Sequence, residues 1–415
     1  MNDDIYASLP SDLAAALRRC DLLIGKEQLE YIYNLYDPET GGFYYSISSR
    51  DAEEMTPFAE GTAFAIEALC SGGMTLPDWY KKKVSAWILS HQDQGDGFFY
   101  EELWGKLTSI NPGPRISRDL GASTGILECC GVEPLYPLPV ERMKDGSGSS
   151  ALPAYLESRE TMLEYLESLD WSTKSIWSTG QKLAMAEQFI VPAGHLELVH
   201  DYIKSKQNPD TGLWGEGLGW MNTNGAMKVS RYFLHPGYSY PNPVLAVESI
   251  IKLYTGDTPP SGATYIWNPL VLINRIIETA GDKRDELRQM LLVRGAEIVN
   301  RAVDSALLLH RADGGFSGSI QRGGNRQQGF LYGYGYPDES DLDGTLIAGK
   351  RLRTHIHRVF DVPETKGYYA EYNDAFWEAI KNKPPIKKTL PRPPGNISLD
   401  DAVNAVAAGM ASKPR

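Results

Sequence analysis

Tyr36-Asp37-Pro38-Glu39-Thr40-Gly41-Gly42-Phe43 decides the fold, because versions of it return along the chain. They are Gln92-Asp93-Gln94-Gly95-Asp96-Gly97-Phe98, Gln207-Asn208-Pro209-Asp210-Thr211-Gly212-Leu213-Trp214 and Arg311-Ala312-Asp313-Gly314-Gly315-Phe316. Each reads as a turn: Asp, Asn and Pro start it, Gly supplies positive φ, and an aromatic residue anchors its end. Each follows an apolar pattern of helical period. The closing aromatics at 43, 98, 214 and 316 are separated by about 55, 116 and 102 residues, or one, two and two periods of roughly 50–58, the mark of a repeated helical unit. Two degenerate copies are expected in the gaps, at Leu169-Asp170-Trp171-Ser172-Thr173 and Thr264-Tyr265-Ile266-Trp267-Asn268-Pro269. Six units of helix, turn, loop and helix follow.

The helical patterns fall into two alternating sets. One is long, with charge on one face, at about 22–36, 78–92, 152–168, 194–207, 242–255 and 284–310. In Trp79-Tyr80-Lys81-Lys82-Lys83-Val84 the lysines form a solvated face. The other set is rich in small and apolar residues, at about 58–70, 117–130, 177–190, 222–234, 268–280 and 341–358. Gly61-Thr62-Ala63 and Gly121-Ala122-Ser123-Thr124-Gly125 are typical, and small residues allow close helix approach. Alternating outer and inner helices predict an all-α (α/α)6 toroid over residues 1–360. Residues 361–415 are expected to form an extension with a Pro-rich linker (Pro384-Pro385, Pro391, Pro393-Pro394) and a short helix at 399–411.

The turn phrases resemble the repeat of the terpenoid cyclase and protein prenyltransferase superfamily, whose Gln-rich, Gly-aromatic turns link toroid helices. Related toroids also serve glycoside hydrolases and polysaccharide lyases, so architecture alone does not choose the chemistry.

Composition narrows the classes. The 415 residues carry 41 Lys and Arg against 53 Asp and Glu, a net charge of −12, which argues against a nucleic-acid partner. Apolar content of 42% is that of a globular protein. Cys20, Cys70, Cys129 and Cys130 lack metal-ligand spacing and read as buried free thiols. No basic start, apolar signal core or membrane-spanning run is visible, so a cytoplasmic protein is expected. No cofactor and no metal are expected. The zinc set of prenyltransferase β-subunits and the Asp-Asp-x-x-Asp motif of class I terpene synthases are not found, and His355 and His357 lie two apart, which is not one helix face.

In a toroid the inner-helix N-termini share a rim and its positive helix ends. The residues expected there are Glu60, Arg118, Asp119, Thr179, Asn222, Asn224, Asn268, Asp341 and Asp343. The bland alternative is that they are helix N-caps. The densest acidic cluster, Asp338-Glu339-Ser340-Asp341-Leu342-Asp343-Gly344, resembles the Asp-x-Asp-Asp motif of class II terpene cyclases, with Gly344 in place of the last Asp. That resemblance implies Asp343 as the acid that protonates an alkene or epoxide. The Gly-rich loop Arg322–Gly329 before it reads as a lid.

A sugar hydrolase instead needs two carboxylates, one protonated and one ionised, and Glu60, Asp119 and Asp341 supply them. A lyase needs a carboxylate-neutralising group and a base, which Asn222, Asn224, Lys228, Arg231, His235, Tyr238 and Tyr240 could furnish. Trp104, Trp177, Trp214, Trp220, Trp267, Tyr332, Tyr334 and Tyr336 are flat surfaces for either a pyranose or a carbocation. The leading expectation is a carbohydrate-active enzyme acting on an oligosaccharide or uronate-containing glycan, with Asp119 and Asp341 as catalytic carboxylates supported by Glu60. Arg118, Asn222, Asn224, Tyr238, Trp214, Trp220, Trp267 and Tyr334 would bind substrate. The alternatives are a class II-like terpenoid or polyene cyclase acting through Asp343, which demands an aromatic and aliphatic site, and a binding scaffold without chemistry.

Overall fold

A computed structural model describes residues 5–106, 114–145, 153–327, 329–363 and 367–393. The helices, in chain order, are α1 (Ser11–Arg18), α2 (Lys26–Leu35), α3 (Ile47–Asp51), α4 (Ala59–Ser71), α5 (Asp78–Ser90), α6 (Pro114–Cys130), α7 (Pro139–Asp145), α8 (Arg159–Glu167), α9 (Ile176–Ile190), α10 (Leu196–Ser205), α11 (Trp220–Val229), α12 (Pro243–Thr255), α13 (Ala263–Thr279), α14 (Arg284–Val293), α15 (Gly295–Leu307), α16 (Leu342–Gly344), α17 (Leu352–Val359) and α18 (Asn373–Lys381). Residues Thr345–Arg351, between α16 and α17, form a π-helix. Among the described residues the only β-ladder is a short antiparallel pair, β1 (Arg326–Gln327) with β2 (Phe330–Leu331). The fold is all-α, and the inner and outer helices expected from the two sequence patterns are present.

The contacts divide the chain into two compact units, each assembled from separate stretches. In the first (Met1–Ile24, Tyr155–Leu309, Ile347–Thr365), α9, α11, α13 and α17 pack side by side in that order. Helix α8 packs on α10, α12 on α15, and α1 on α15. The α9–α11 approach is set by two glycines. A Cβ on Gly180 would lie 2.9 Å from the Gly225 carbonyl oxygen, and one on Gly225 would lie 2.5 Å from Ile176 Cγ1. Close helix approach was expected at Gly121 and Gly125, but a Cβ there meets no described atom within 4 Å. The small residues of α9 and α11, not those of α6, make the tight contact.

In the second unit (Gly25–Ala154, His310–Leu346, Lys366–Arg415), α4 packs against both α6 and α16, and α5 covers α6. Lys383, just past α18, donates to the carbonyl oxygens of Tyr33 (2.6 Å), Asn34 (3.0 Å) and Tyr36 (2.9 Å) at the end of α2. Leu390 bridges Ala52 in parallel. The C-terminal stretch to Pro393 is therefore moored to this unit. The helix expected at 399–411 lies outside the described residues.

All four quoted turn phrases fold alike. Tyr36 bridges Phe43, Gln92 bridges Phe99, Gln207 bridges Trp214 and His310 bridges Phe316. Gly41, Gly97, Gly212 and Gly314 have φ of 83°, 79°, 67° and 92°. Asp37, Asp93 and Asn208 near the start of the first three turns accept backbone N–H bonds from within them, and Asp313, third in the fourth, accepts from Gly315 N–H. Gln92 and Gln207 extend the tie: their side chains reach Leu135 and Tyr136, and Pro241 and Asn242, respectively. One degenerate copy is corrected. Thr264–Pro269 is helical, inside α13, with Pro269 at the seventh position. A proline there removes one helical N–H but does not end the helix. The connection preceding α13 is 256–262 instead.

The cysteines are free, as expected, but only Cys20 is buried; Cys129 is exposed and Cys70 and Cys130 are half-buried. No helix among the described residues is long and apolar enough to cross a membrane.

Candidate active site

Most expected rim residues are not caps. Helix α6 begins at Pro114, earlier than its apolar pattern suggests, so Arg118 and Asp119 sit inside it. Glu60 is the second residue of α4, Asn222 the third of α11, and Asn268 the sixth of α13. Thr179 lies within α9, where its hydroxyl donates to the Asp170 carbonyl oxygen. Asp341 alone among them is an N-cap, accepting from Gly344 N–H at 2.7 Å.

The earlier start of α6 brings in Arg115, which sequence reasoning passed over. Arg115 and Asp119 are one helical turn apart and share a face. Arg115 donates through Nε (3.0 Å) and Nη2 (2.7 Å) to Asp119 Oδ1, and through Nη1 (2.7 Å) to Glu60 Oε2. Arg118 closes the network on Glu60 Oε1. Asp119 Oδ2 accepts from Trp104 Nε1 at 3.1 Å, and the Arg115 guanidinium lies 4.9 Å from the centre of the Trp104 ring. Glu60, Arg115 and Asp119 are all buried.

The electrostatics of the two carboxyls diverge. Burial would raise Glu60, but the Arg118 and Arg115 charges outweigh it and hold Glu60 below its ordinary value. Burial dominates at Asp119: despite Arg115 and the Trp104 N–H, its pKa is pushed up to about 6, with the Glu60 charge adding to the rise. Two neighbouring carboxyls are thus pushed apart, Glu60 ionising at lower pH than Asp119, the pattern of a stabilising carboxylate beside an acid.

Around Trp104 stands a wall of rings. Phe58 meets Trp104 edge-on at 5.3 Å, Phe330 of β2 lies 5.3 Å from Trp104, and Tyr45 stacks on Phe58 at 5.7 Å. Tyr332 lies 4.0 Å from Tyr45 and 5.8 Å from Phe58. All five are buried. Burial raises the Tyr45 and Tyr332 hydroxyls far above their ordinary pKa, and the Asp343 and Asp341 carboxylates add to this. Both hydroxyls therefore stay neutral. Asp343 is half-buried on α16, close enough to act on both rings. Of this wall the sequence singled out only Trp104 and Tyr332. Tyr45, Phe58 and Phe330 carry no motif; the turn phrase ending at Phe43 is the nearest signal to two of them.

The acidic cluster is mostly structural. Asp341 Oδ2 accepts from Gly318 N (2.8 Å) and Gly324 N (2.7 Å) while Oδ1 caps α16. Glu339 accepts from Ser48 N at 2.5 Å and Tyr336 N at 3.1 Å. The loop expected as a lid is tied by these bonds and by Arg322, which donates to the Gly335 and Tyr334 carbonyl oxygens. Asp341→Ala removes one cap and orphans two further N–H groups, so a loss of about 2–4 kcal/mol is expected in urea unfolding. Asp341→Asn, which keeps an acceptor oxygen, should lose less.

The residues expected to bind substrate have other partners. Trp214 is fully buried and donates to the Ile203 carbonyl oxygen, anchoring its turn. Trp220 donates to Thr258 O, and Arg351 lies over the Trp267 ring. Tyr334 stacks on Tyr336 and donates to Pro391 O. Asn222 donates to Trp214 O, Asn224 accepts from Asn268, and Tyr238 packs on His200. Arg231 and His235 both pair with Glu187, and the Tyr240 hydroxyl donates to Gly212 O. The residues at 222–240 therefore engage separate partners rather than one point. Arg118 alone of the eight joins the carboxylate cluster. Among the described residues no group of His, Cys, Asp and Glu could hold a metal ion.

No protein-family model and no curated protein matches the chain. Among solved structures it is similar to the type II terpene cyclase MstE from Scytonema. The apo form matches at 12% identity and a TM-score of 0.40, over 84% of this chain and 98% of that one. A variant with one aspartate changed to asparagine, in complex with geranylgeranyl dihydroxybenzoate, its substrate, matches at 12% identity and a TM-score of 0.42, over 83% and 98%. A variant with one arginine changed to alanine, with the same substrate, matches at 11% identity and a TM-score of 0.43, over 84% and 99%.

Proposed function

We propose that this chain is an enzyme of the class II terpenoid or polyene cyclase type, with Asp119 as the acid that protonates an alkene or epoxide. The observation that carries the reading is a buried carboxyl held by Arg115 and Trp104 beside a wall of buried aromatic rings, in a setting whose burial pushes its pKa up to about 6. A general acid works best with a pKa near the operating pH. The carbocation formed on protonation needs a site without water and with ring faces to stabilise it, each worth about 0.5–2 kcal/mol. The Trp104 face already carries the Arg115 cation.

In the proposed step Asp119 gives its proton to one carbon of the terminal double bond. The neighbouring carbon becomes cationic, is attacked by the next double bond, and the final cation loses a proton. Arg115 stays charged throughout and stabilises the carboxylate left behind. Asp343, beside Tyr45 and Tyr332, is the second carboxylate near the wall, placed to stabilise positive charge rather than to start it.

The carbohydrate reading fits this geometry less well. A hydrolase needs two carboxyls flanking a bond with room for sugar and water. Glu60 and Asp119 are instead clamped on one guanidinium, and both Asp341 oxygens accept backbone N–H bonds. The test is a panel of geranylgeraniol, its terminal epoxide, squalene, and neutral and uronic oligosaccharides, with products followed by mass spectrometry. An isomer of one polyene with fewer double bonds is the expected result. New sugar ends with no polyene product would reverse the reading.

A further inference from the structure

Past α18 the chain runs as a strap, residues 382–393, that forms no helix. Pro384, Pro385, Pro391 and Pro393 hold it extended and leave it few N–H donors, so it cannot lay down a ladder of its own. Side chains and two N–H groups fasten it instead. Half-buried Lys388 donates through Nζ to the carbonyl oxygens of Arg50 (2.8 Å) and Met55 (2.9 Å), 4.1 Å from the centre of the Tyr44 ring. Thr389 and Leu390 N–H donate to Asp51 O at 2.8 and 2.9 Å, and Glu53 N–H donates to Leu390 O at 2.9 Å. Arg392 pairs with Glu54 at 2.7 Å.

The segment gripped in this way, 44–55, carries Tyr45 of the aromatic wall. It also binds the loop 330–342, which carries Phe330 and Tyr332. Ser48 donates to Glu339 through its N–H (2.5 Å) and its Oγ (2.9 Å), and Ser48 Oγ accepts from Tyr334 N–H at 3.1 Å. Leu342 N–H donates to Tyr45 O at 3.0 Å. The approach is close at Gly333, where a Cβ would lie 3.2 Å from Ser46 Oγ and 3.3 Å from Ser48 Oγ. The loop then returns to the strap, because the Tyr334 hydroxyl donates to Pro391 O at 2.9 Å. Strap, segment and loop are thus bonded pairwise in a closed triangle. Tyr45 and Tyr332, whose rings lie 4.0 Å apart, stand on two of its sides. None of these bonds involves Glu60, Arg115 or Asp119, so the strap bears on the rings rather than on the acid.

We infer that the strap is a specificity element, holding the Tyr45 and Tyr332 segments together so that the wall stays closed to water while the carbocation exists, an inference that rests on the cyclase reading. Lys388 and Tyr334 are positioning residues in this scheme, since they act through the segments that bear the rings. The chemistry at stake is how the cation ends. With the wall closed, it is attacked by the next double bond and finally loses a proton. With the segments parted, a water oxygen bonds to the cationic carbon and sheds a proton, leaving a product heavier by one water. Excluding water from a reactive intermediate is a general use of a closed site.

Two variants of the full chain open the triangle at different sides. Lys388→Met keeps the stem and removes the ammonium, and Tyr334→Phe keeps the ring stacked on Tyr336 and removes the hydroxyl. Hydrogen exchange followed by mass spectrometry, without substrate, should show amides of 44–55 and 330–342 exchanging about tenfold faster in each, the effect of one or two lost hydrogen bonds on local opening. Helices α4 and α6 should keep their native rates. Faster exchange confined to 382–393, or spread equally through α4 and α6, overturns the proposal. The second readout uses whichever polyprenyl compound is cyclised. Both variants should consume it near the native rate, because Asp119 is untouched, while the share of product carrying an added water rises by a similar factor. Slower consumption with the native product ratio is what a merely structural strap gives, and it overturns the proposal. A native protein that cyclises nothing refutes the cyclase reading, while the exchange pattern still shows whether the strap holds the two segments.

Discussion

Asp119→Asn is expected to abolish cyclisation, lowering turnover by about 100- to 10,000-fold, the usual contribution of a positioned general acid. The fold should survive. Asparagine has the same shape, and its amide oxygen can still accept from either Arg115 or Trp104. The charge lost belongs to a group whose burial already disfavours ionisation. Thermal unfolding should therefore move little while product formation disappears. Asp343→Asn discriminates between the two carboxyls near the aromatic wall. If Asp119 is the acid, Asp343→Asn slows the reaction less, through weaker stabilisation of cations beside Tyr45 and Tyr332. If Asp343→Asn is inactive and Asp119→Asn is not, the acid belongs on α16.

Arg115→Met is expected to be the most damaging single change to stability. The guanidinium is buried and makes three hydrogen bonds to two buried carboxyls. Removing one member of such a network leaves uncompensated charge and costs about 3–5 kcal/mol. The loss should depend on pH, in a direction set by the two carboxyls. In the native protein burial pushes the Asp119 carboxyl from the ordinary 3.8 up to about 6. Its contribution to stability is complete below about 3.8 and is lost as pH rises through about 6. Glu60 has a depressed folded pKa, so its contribution is present above its unfolded value and is lost on acidification. Arg115→Met weakens the Glu60 term and enlarges the Asp119 one. Its destabilisation in urea should therefore be greater at pH 8 than at pH 5. A loss independent of pH would mean that packing, not charge, is what Arg115 supplies. Adding Asp119→Asn to Arg115→Met should restore part of the stability, because the unpaired charge is then gone.

The architecture was legible because it is written twice. The turn phrase needs Gly at a positive φ and an Asx side chain to fold back on the backbone, so its chemistry is visible in a few residues. Helical periodicity then separated outer from inner helices. What went unread has physical causes. The charged start of α6, Pro114-Arg115-Ile116-Ser117-Arg118, hides its first turn from an apolar pattern. That turn carries Arg115, and with it the reason Glu60 and Asp119 differ. Thr264–Pro269 read as a degenerate turn, although α13 runs through it and accommodates Pro269.

The acidic run 338–343 drew attention by density. Its carboxylates at 339 and 341 instead satisfy backbone N–H groups of neighbouring loops, a use that composition cannot distinguish from catalysis. The aromatic wall gathers Tyr45, Phe58, Trp104, Phe330 and Tyr332 from distant parts of the sequence, so no local motif announces it. That wall is also what moves the preferred reading from sugars to polyenes, since the sequence had tied the cyclase alternative to such a surface.

The most direct test of the central claim is the reaction of geranylgeraniol in heavy water, followed by mass spectrometry. Proton-initiated cyclisation places one deuteron from the enzyme acid on a carbon of the product. The account predicts a cyclic isomer one mass unit heavier than the product made in light water, formed by the native protein and not by Asp119→Asn. A cyclic product without deuterium, or one that Asp119→Asn makes equally well, would contradict it.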